Sequence, residues 1–296
     1  MESWKVISGL SLCAVLAYYL YSYFKRYQAK NGLLFDPLIA RFTSLKESGE
    51  DAEAIELVNR LINAPAKQNL WFWYYQRYRY YLNQGLYQEA LADLNASLEL
   101  NTQKAELYLA QVELLFQIED DEAMYRHSAD LLKAWPQSML SRVLCAIAAA
   151  KVERIGEAIE HFNIAESMLN DPNGRDEDVD RSLLLFYYGY AALLMGKTEE
   201  AQSYFERSLN INPDNSDALY GLALMEYQRG DAHSAFITVQ RAIINNQRNT
   251  KALNLMGELY LKHNKPNEAQ EQFRLSAKWG NLPAQKRLEN GGLHTF

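Results

Sequence analysis

Cysteine is nearly absent: Cys13 and Cys145 are the two among 296 residues, and Cys13 lies inside an apolar run. That leaves no disulfide framework and no cysteine-based zinc site. Proline and glycine are also scarce, at 7 and 14 residues, which argues against a disordered, collagen-like or turn-dense all-β chain. The histidines His127, His161, His233, His263 and His294 show neither H-E-x-x-H nor paired-ligand spacing. There is no glycine-rich phosphate loop, no G-x-S-x-G elbow and no dinucleotide fingerprint. Asp176, Asp178 and Asp180 begin like a calcium loop, but Arg181 stands where glycine is required and Tyr187 where the closing glutamate belongs. The sequence thus offers no catalytic residue, no metal ligand set and no cofactor motif, and the chain is expected not to be an enzyme. Basic charge is lacking too. The net charge is −7, and the first 30 residues carry Lys5, Lys25, Arg26 and Lys30 against Glu2, or +4 − 1 = +3, leaving −10 for the remainder. So acidic a body is a poor match for polyanions, and nucleic acid is excluded as a partner.

What is present is a core-forming composition, 48% hydrophobic and 23% charged, pointing to helices. Val6 to Phe24 is a run of 19 residues without a charge, VISGLSLCAVLAYYLYSYF. As a helix rising about 1.5 Å per residue it covers roughly 28 Å, the thickness of a bilayer core. Tyr18, Tyr19, Tyr21 and Tyr23 crowd its far end ahead of Lys25 and Arg26, the aromatic belt and charged stop of a membrane interface. A cleaved signal peptide is the competing reading. The run exceeds a usual signal core, however, its leader holds a single lysine, and no A-x-A pattern ends it. A lipoprotein reading of Cys13 fails because Leu12 replaces the small residue needed before it. An uncleaved single-pass anchor at 6–24 is expected, and the three basic residues beyond it place the body in the cytoplasm by the positive-inside rule.

A repeat fills the sequence after the anchor. Ala90, Met124, Ala158, Ala201, Ala235 and Ala269 mark one register, with a step of 34 residues everywhere except the 43 between Ala158 and Ala201. A nine-residue acidic insertion at 173–181 accounts for the difference. The unit length and pattern resemble the tetratricopeptide repeat family. The resemblance is strongest from Ser182, where Leu185, Gly189, Gly196, Ala201, Phe205 and Pro213 occupy the large, small, turn, small, aromatic and proline positions. Leu219, Ala223, Gly230, Ala235 and Ala242, then Leu253, Gly257, Tyr260, Ala269 and Phe273, repeat the pattern. It weakens in earlier units, where Tyr78 and Met124 stand at small positions and Arg142 at a large apolar one. The resemblance implies an all-α, right-handed superhelical solenoid of about seven helix-turn-helix units, preceded by a single transmembrane helix. The expected layout is a tail at 1–5, the anchor at 6–24, a linker at 25–34 and a solenoid at 35–281. Its units start near 35, 71, 105, 139, 182, 216 and 250. A capping helix and tail follow at 282–296, where AKWGNLPAQKRL resembles a Sel1-type repeat.

In that family the first helix of each unit lines a concave groove, so the resemblance implies which residues face a partner. They include Tyr75, Arg79, Leu109, Phe116, Val143, Ile147, Phe186, Tyr190, Tyr220, Leu224 and Tyr227. From Phe116 to Tyr227, Asp217 is the one charge among thirteen inward positions. Two readings stand side by side. The lining is an open groove for a hydrophobic or amphipathic segment of a protein partner, or a tightly wound superhelix buries it as core. The run WFWYYQRYRYY, 71–81, shares that ambiguity. The family's carboxylate clamp needs Lys, Asn and Arg on successive first helices, and the matching positions here hold Tyr, Leu, Val and Phe. The implied function is a membrane-anchored scaffold that binds a segment of another protein during assembly or regulation of a membrane complex. A permanently embedded structural subunit and a mitochondrial-type import or assembly receptor are the alternatives.

Overall fold

The computed structural model describes residues 37–64, 69–170 and 180–289. The expected anchor, its linker, most of the acidic insertion and the C-terminal tail lie outside them. Among the described residues all regular structure is helical, and no helix is long and apolar enough to cross a membrane. The helices are α1 Pro37–Glu47, α2 Asp51–Ile62, α3 Leu70–Gln84, α4 Tyr87–Leu100, α5 Ala105–Ile118, α6 Asp121–Ala134, α7 Met139–Lys151 and α8 Ile155–Asn170. They continue as α9 Arg181–Leu194, α10 Thr198–Ile211, α11 Ser216–Gln228, α12 Ala232–Asn245, α13 Thr250–Lys262, α14 Pro266–Lys278 and α15 Leu282–Glu289. Contacts group the chain into two compact units that meet in sequence between Leu107 and Tyr108.

The hairpin turns carry the repeat in their backbone. Gly85, Glu119, Glu153, Gly196, Gly230 and Asn264 all have positive φ, between 55° and 85°, and sit at the same place in successive hairpins. This left-handed residue after the first helix lets the chain reverse and satisfies free carbonyls, as when the Gly85 N–H donates to the Leu82 carbonyl. Glycine reaches the conformation without strain, whereas Glu119 and Glu153 bear a modest cost.

In the smaller unit, Phe42 of α1 meets Phe72 and Trp73 of α3 edge-on, with ring centroids 6.2 and 5.8 Å apart, over Leu57, Val58 and Ile62 of α2. The aromatic run at 71–81 divides by face. Phe72, Trp73, Tyr75 and Tyr78 are buried, while Trp71, Tyr74, Tyr80 and Tyr81 are partly exposed. Two of the outer rings, Tyr74 and Tyr81, each lie 5.6 Å from the Arg77 guanidinium, which reaches Asp93 through two 2.7 Å hydrogen bonds. Lys104 sits over Trp71 in the same way. Such forked pairing and ring contact suit arginine's planar donor set, and this unit's own packing accounts for the run.

In the larger unit each first helix packs closely on its second. Phe205 of α10 is fully buried between Gly189 of α9 and Gly221 of α11. A Cβ at Gly189 would lie 2.6 Å from the Phe205 ring, and one at Gly221 would lie 2.5 Å from it. Phe273 of α14 uses Gly257 of α13 in the same manner. Ala158, Ala201, Ala235 and Ala269 are each fully buried, so the small markers of the repeat mark points of close helix contact. A polar ladder joins neighbouring units. Asn215 caps α11 through the Asp217 and Ala218 N–H groups while its amide donates to Ser182 Oγ at 2.8 Å. Asn249 caps α13 and donates to Ser216 Oγ at 2.9 Å.

An alanine for a helical glycine ordinarily stabilises by about 0.5–1 kcal/mol. Gly189→Ala and Gly221→Ala are expected to destabilise instead, by about 1–3 kcal/mol each, because Phe205 has no room to yield. Urea unfolding would show it, and a gain in stability would refute the close packing.

Candidate functional site

The inner face of the repeats, where a groove was expected, is largely closed. Leu109, Phe116, Val143, Ile147, Phe186, Tyr190 and Tyr220 of the larger unit are buried, and Tyr75 of the smaller unit is buried and stacks on Tyr78. Arg79, Leu224 and Tyr227 keep partial exposure. Eight of the eleven residues named as inward-facing are therefore buried, and at those positions the packed alternative describes the structure. The physical reason is visible in α7, whose Ala146, Ala148, Ala149 and Ala150 are small and buried. Helices α5 and α9, on either side of it in sequence, meet directly. The Phe116 ring lies 5.5 Å from Tyr190, 5.6 Å from Tyr187 and 6.3 Å from Phe186. Tyr190 in turn lies 6.3 Å from Tyr220.

Charged and polar groups sit among these rings. Lys251 is only 5% exposed, and its ammonium donates to the Phe116 carbonyl at 2.7 Å and lies 3.7 Å from that residue's ring centre. Burial pushes its pKa down to about 8 although Glu119 and Asp217 pull the other way. Burial raises the carboxyls of Asp217 and Asp121, against the opposing charges of Lys251 and Lys151 respectively. The Lys151 ammonium is 2.8 Å from Asp121. Glu113 is pushed up to about 8 by burial of its carboxyl, opposed by the Tyr187 hydroxyl that donates to it at 3.4 Å. The inward positions implied by the family resemblance include Glu113, Asp217 and Lys251, the ninth, second and second residues of their first helices. The sequence gives no sign that Lys151, Asp121, Glu119, Thr250 and Asn281 join them, beyond asparagines at the starts of α11, α13 and α15.

Among the described residues no group of His, Cys, Asp and Glu could hold a metal ion. Cys145 is buried, donates to the Ser128 carbonyl at 3.2 Å and has its thiol pushed up to about 11 by burial, so it is an inert core residue. In the larger unit the partly exposed members of the inward-facing set are Leu224 and Tyr227 on α11, with the Lys262 ammonium 3.7 Å from the centre of the Tyr227 ring.

Two measurements test this geometry. Tyr220→Glu places a charge in the core and is expected to cost about 3 kcal/mol or more, whereas Tyr227→Glu, at the accessible edge, should cost under about 1 kcal/mol. Equal costs in chemical denaturation would contradict the burial pattern. The second concerns Glu113, whose carboxyl stays protonated in the folded chain up to about pH 8 but ionises in the ordinary range when unfolded. Its contribution is fully present below the unfolded pKa and lost as pH rises through about 8. Melting temperature should therefore fall between roughly pH 5 and 8, and Glu113→Gln should flatten that slope. An unchanged slope in the variant would rule out Glu113 as its source.

Comparison with known proteins agrees with this architecture. Residues 194–274 match the family described as "Anaphase-promoting complex, cyclosome, subunit 3". A segment of 82 residues is 30% identical to the mitochondrial import receptor subunit TOM70 of Saccharomyces cerevisiae, covering 25% of this chain and 13% of that protein's length. In three dimensions the chain is similar to a tetratricopeptide repeat protein from Parabacteroides merdae. The TM-score is 0.57 with 15% identity, over 86% of this chain and 97% of the other. It is similar also to a chain of the APC/C hetero-tetramer Cut9-Hcn1, with TM-score 0.56 and 14% identity, over 95% of this chain and 54% of that one. With the 34-residue register, the glycine-seated phenylalanines and the capping ladder, these likenesses establish that the chain has the tetratricopeptide-type repeat fold.

Proposed function

We propose that this chain is a protein-interaction scaffold held at a membrane by residues 6–24, with its helical repeats on the cytoplasmic side. The observation that carries the reading is that each unit of the described chain is built from helical hairpins in one register, an architecture that offers extended surface. The charge-free run with its tyrosine belt and basic stop supports the anchor, and an anchor raises the local concentration of partners for a surface of moderate affinity. The similarity to a segment of an import receptor subunit is consistent with an import or assembly receptor that captures a segment of another protein.

A second reading, a subunit fixed in a larger complex, is favoured by a specific observation. The inner lining is closed while Ile237 and Ile244, both on α12, are 50% and 70% exposed, so the larger unit presents apolar side chains on an outer helix. Stable co-purification at fixed stoichiometry distinguishes this from transient capture.

The full-length chain is expected to remain with membranes through alkaline extraction and to become soluble when residues 6–24 are deleted. A tag after Phe296 should be protease-protected in intact cells and digested in inverted vesicles. Release of the full-length chain by alkali would exclude the anchor, and digestion from outside would reverse the topology.

A further inference from the structure

In the later repeats a local pattern holds at two successive junctions and breaks at the next. Ser182 and Ser216, the first-turn hydroxyls of α9 and α11, each receive the capping asparagine of the next unit, 33 residues on. Thr250 holds the same place in α13, and Asn281 is the next cap. Asn281 still caps α15, accepting from the Ala284 N–H at 2.9 Å, but its amide donates to Glu119 Oε2 at 2.8 Å, 162 residues away. The Thr250 hydroxyl donates to the Gln117 carbonyl at 3.1 Å, and its neighbour Lys251 to the Phe116 carbonyl. Three polar residues near the end of the stack are thus diverted from their neighbours to the α5–α6 corner, about four units earlier. The corner is shaped for this role. Glu119 occupies the left-handed turn position that Gly196 and Gly230 fill in later hairpins, and it holds that conformation with φ 58° while its carboxylate takes the Asn281 amide. The Phe116 and Gln117 carbonyls belong to the last turn of α5, and each takes a hydrogen bond from the start of α13.

We propose that this seam is a reversible clasp: the start of α13 and Asn281 grip the end of α5, close the larger unit on itself and cover the Phe116 ring. Hydrogen bonds to two backbone carbonyls and to the Glu119 carboxylate, with a buried ammonium, hold it. Opening exchanges those bonds for bonds to water at small net cost and returns the Lys251 charge to solvent, relieving a desolvation penalty. Within each hairpin, by contrast, glycine-seated aromatics and buried alanines have no such exchange available. The seam is therefore the first part of the larger unit to open, and its opening uncovers the Phe116 ring on which the Lys251 ammonium lies. Only that last consequence, access for a partner, rests on the scaffold reading.

Native-state hydrogen exchange on the full-length protein tests the clasp directly. Amides of residues 113–121 and 250–256 are expected to exchange through an opening event that leaves the α9–α10 and α11–α12 hairpins protected. Thr250→Val, which removes one seam hydrogen bond, should speed seam exchange about fivefold. Lys251→Glu, which faces Glu119 and Asp217 with a like charge, should speed it at least a hundredfold with the hairpins still protected. The proposal is overturned if seam and hairpin amides of the unaltered protein exchange together by global unfolding, or if Lys251→Glu exposes the hairpins in step with the seam. Failure to capture a partner while the seam opens as described would overturn the scaffold reading alone.

Discussion

The larger unit depends on a phenylalanine ring seated against helical backbone. Phe205 can lie between α9 and α11 because Gly189 and Gly221 present no side chain, and Phe273 meets Gly257 in the same way. A glycine within a helix carries an entropic penalty, and here it is offset by the interhelical approach it permits. That approach sets how far each hairpin leans on the next, and the lean, repeated, sets how tightly the first helices wind. The ladder of Asn215 on Ser182 and Asn249 on Ser216 then fixes the register between units.

Tight winding decides the fate of the inner face. Small side chains on α7 let α5 reach α9, and rings that would line an open channel instead meet one another. Charged groups carried inward by the same helices must be neutralised there. Lys251, Asp217, Asp121 and Lys151 form that compensation, and burial shifts the first three toward their neutral forms.

The class of fold was legible in the sequence because its signals are local. Glycine or alanine recurs where helices touch, a phenylalanine follows at fixed spacing, and a left-handed residue ends each first helix. Ala201, Ala235 and Ala269 are fully buried, as their place in the pattern requires. The family resemblance also implied an inner face for Phe186, Tyr190 and Tyr220, but a repeat register says which way a residue points and not what waits there. Closure depends on small rotations between units summed over several repeats, and no short stretch of sequence encodes that sum. Lys251 was legible as an inward residue. Its partner, the Phe116 carbonyl, is a backbone atom 135 residues away and leaves no mark in the side-chain pattern.

The seam between Thr250 and Gln117 also has a bearing on the chain's ancestry. Arrays of this kind lengthen and shorten by duplication or loss of whole units, and a solenoid with free ends tolerates either. Here the α5–α6 corner and the start of α13 must arrive opposite one another. A unit gained or lost between Ile118 and Thr250 would carry α13 past its acceptors by one full step of the superhelix. The interval acts as a ruler, and copy number within it is fixed by geometry.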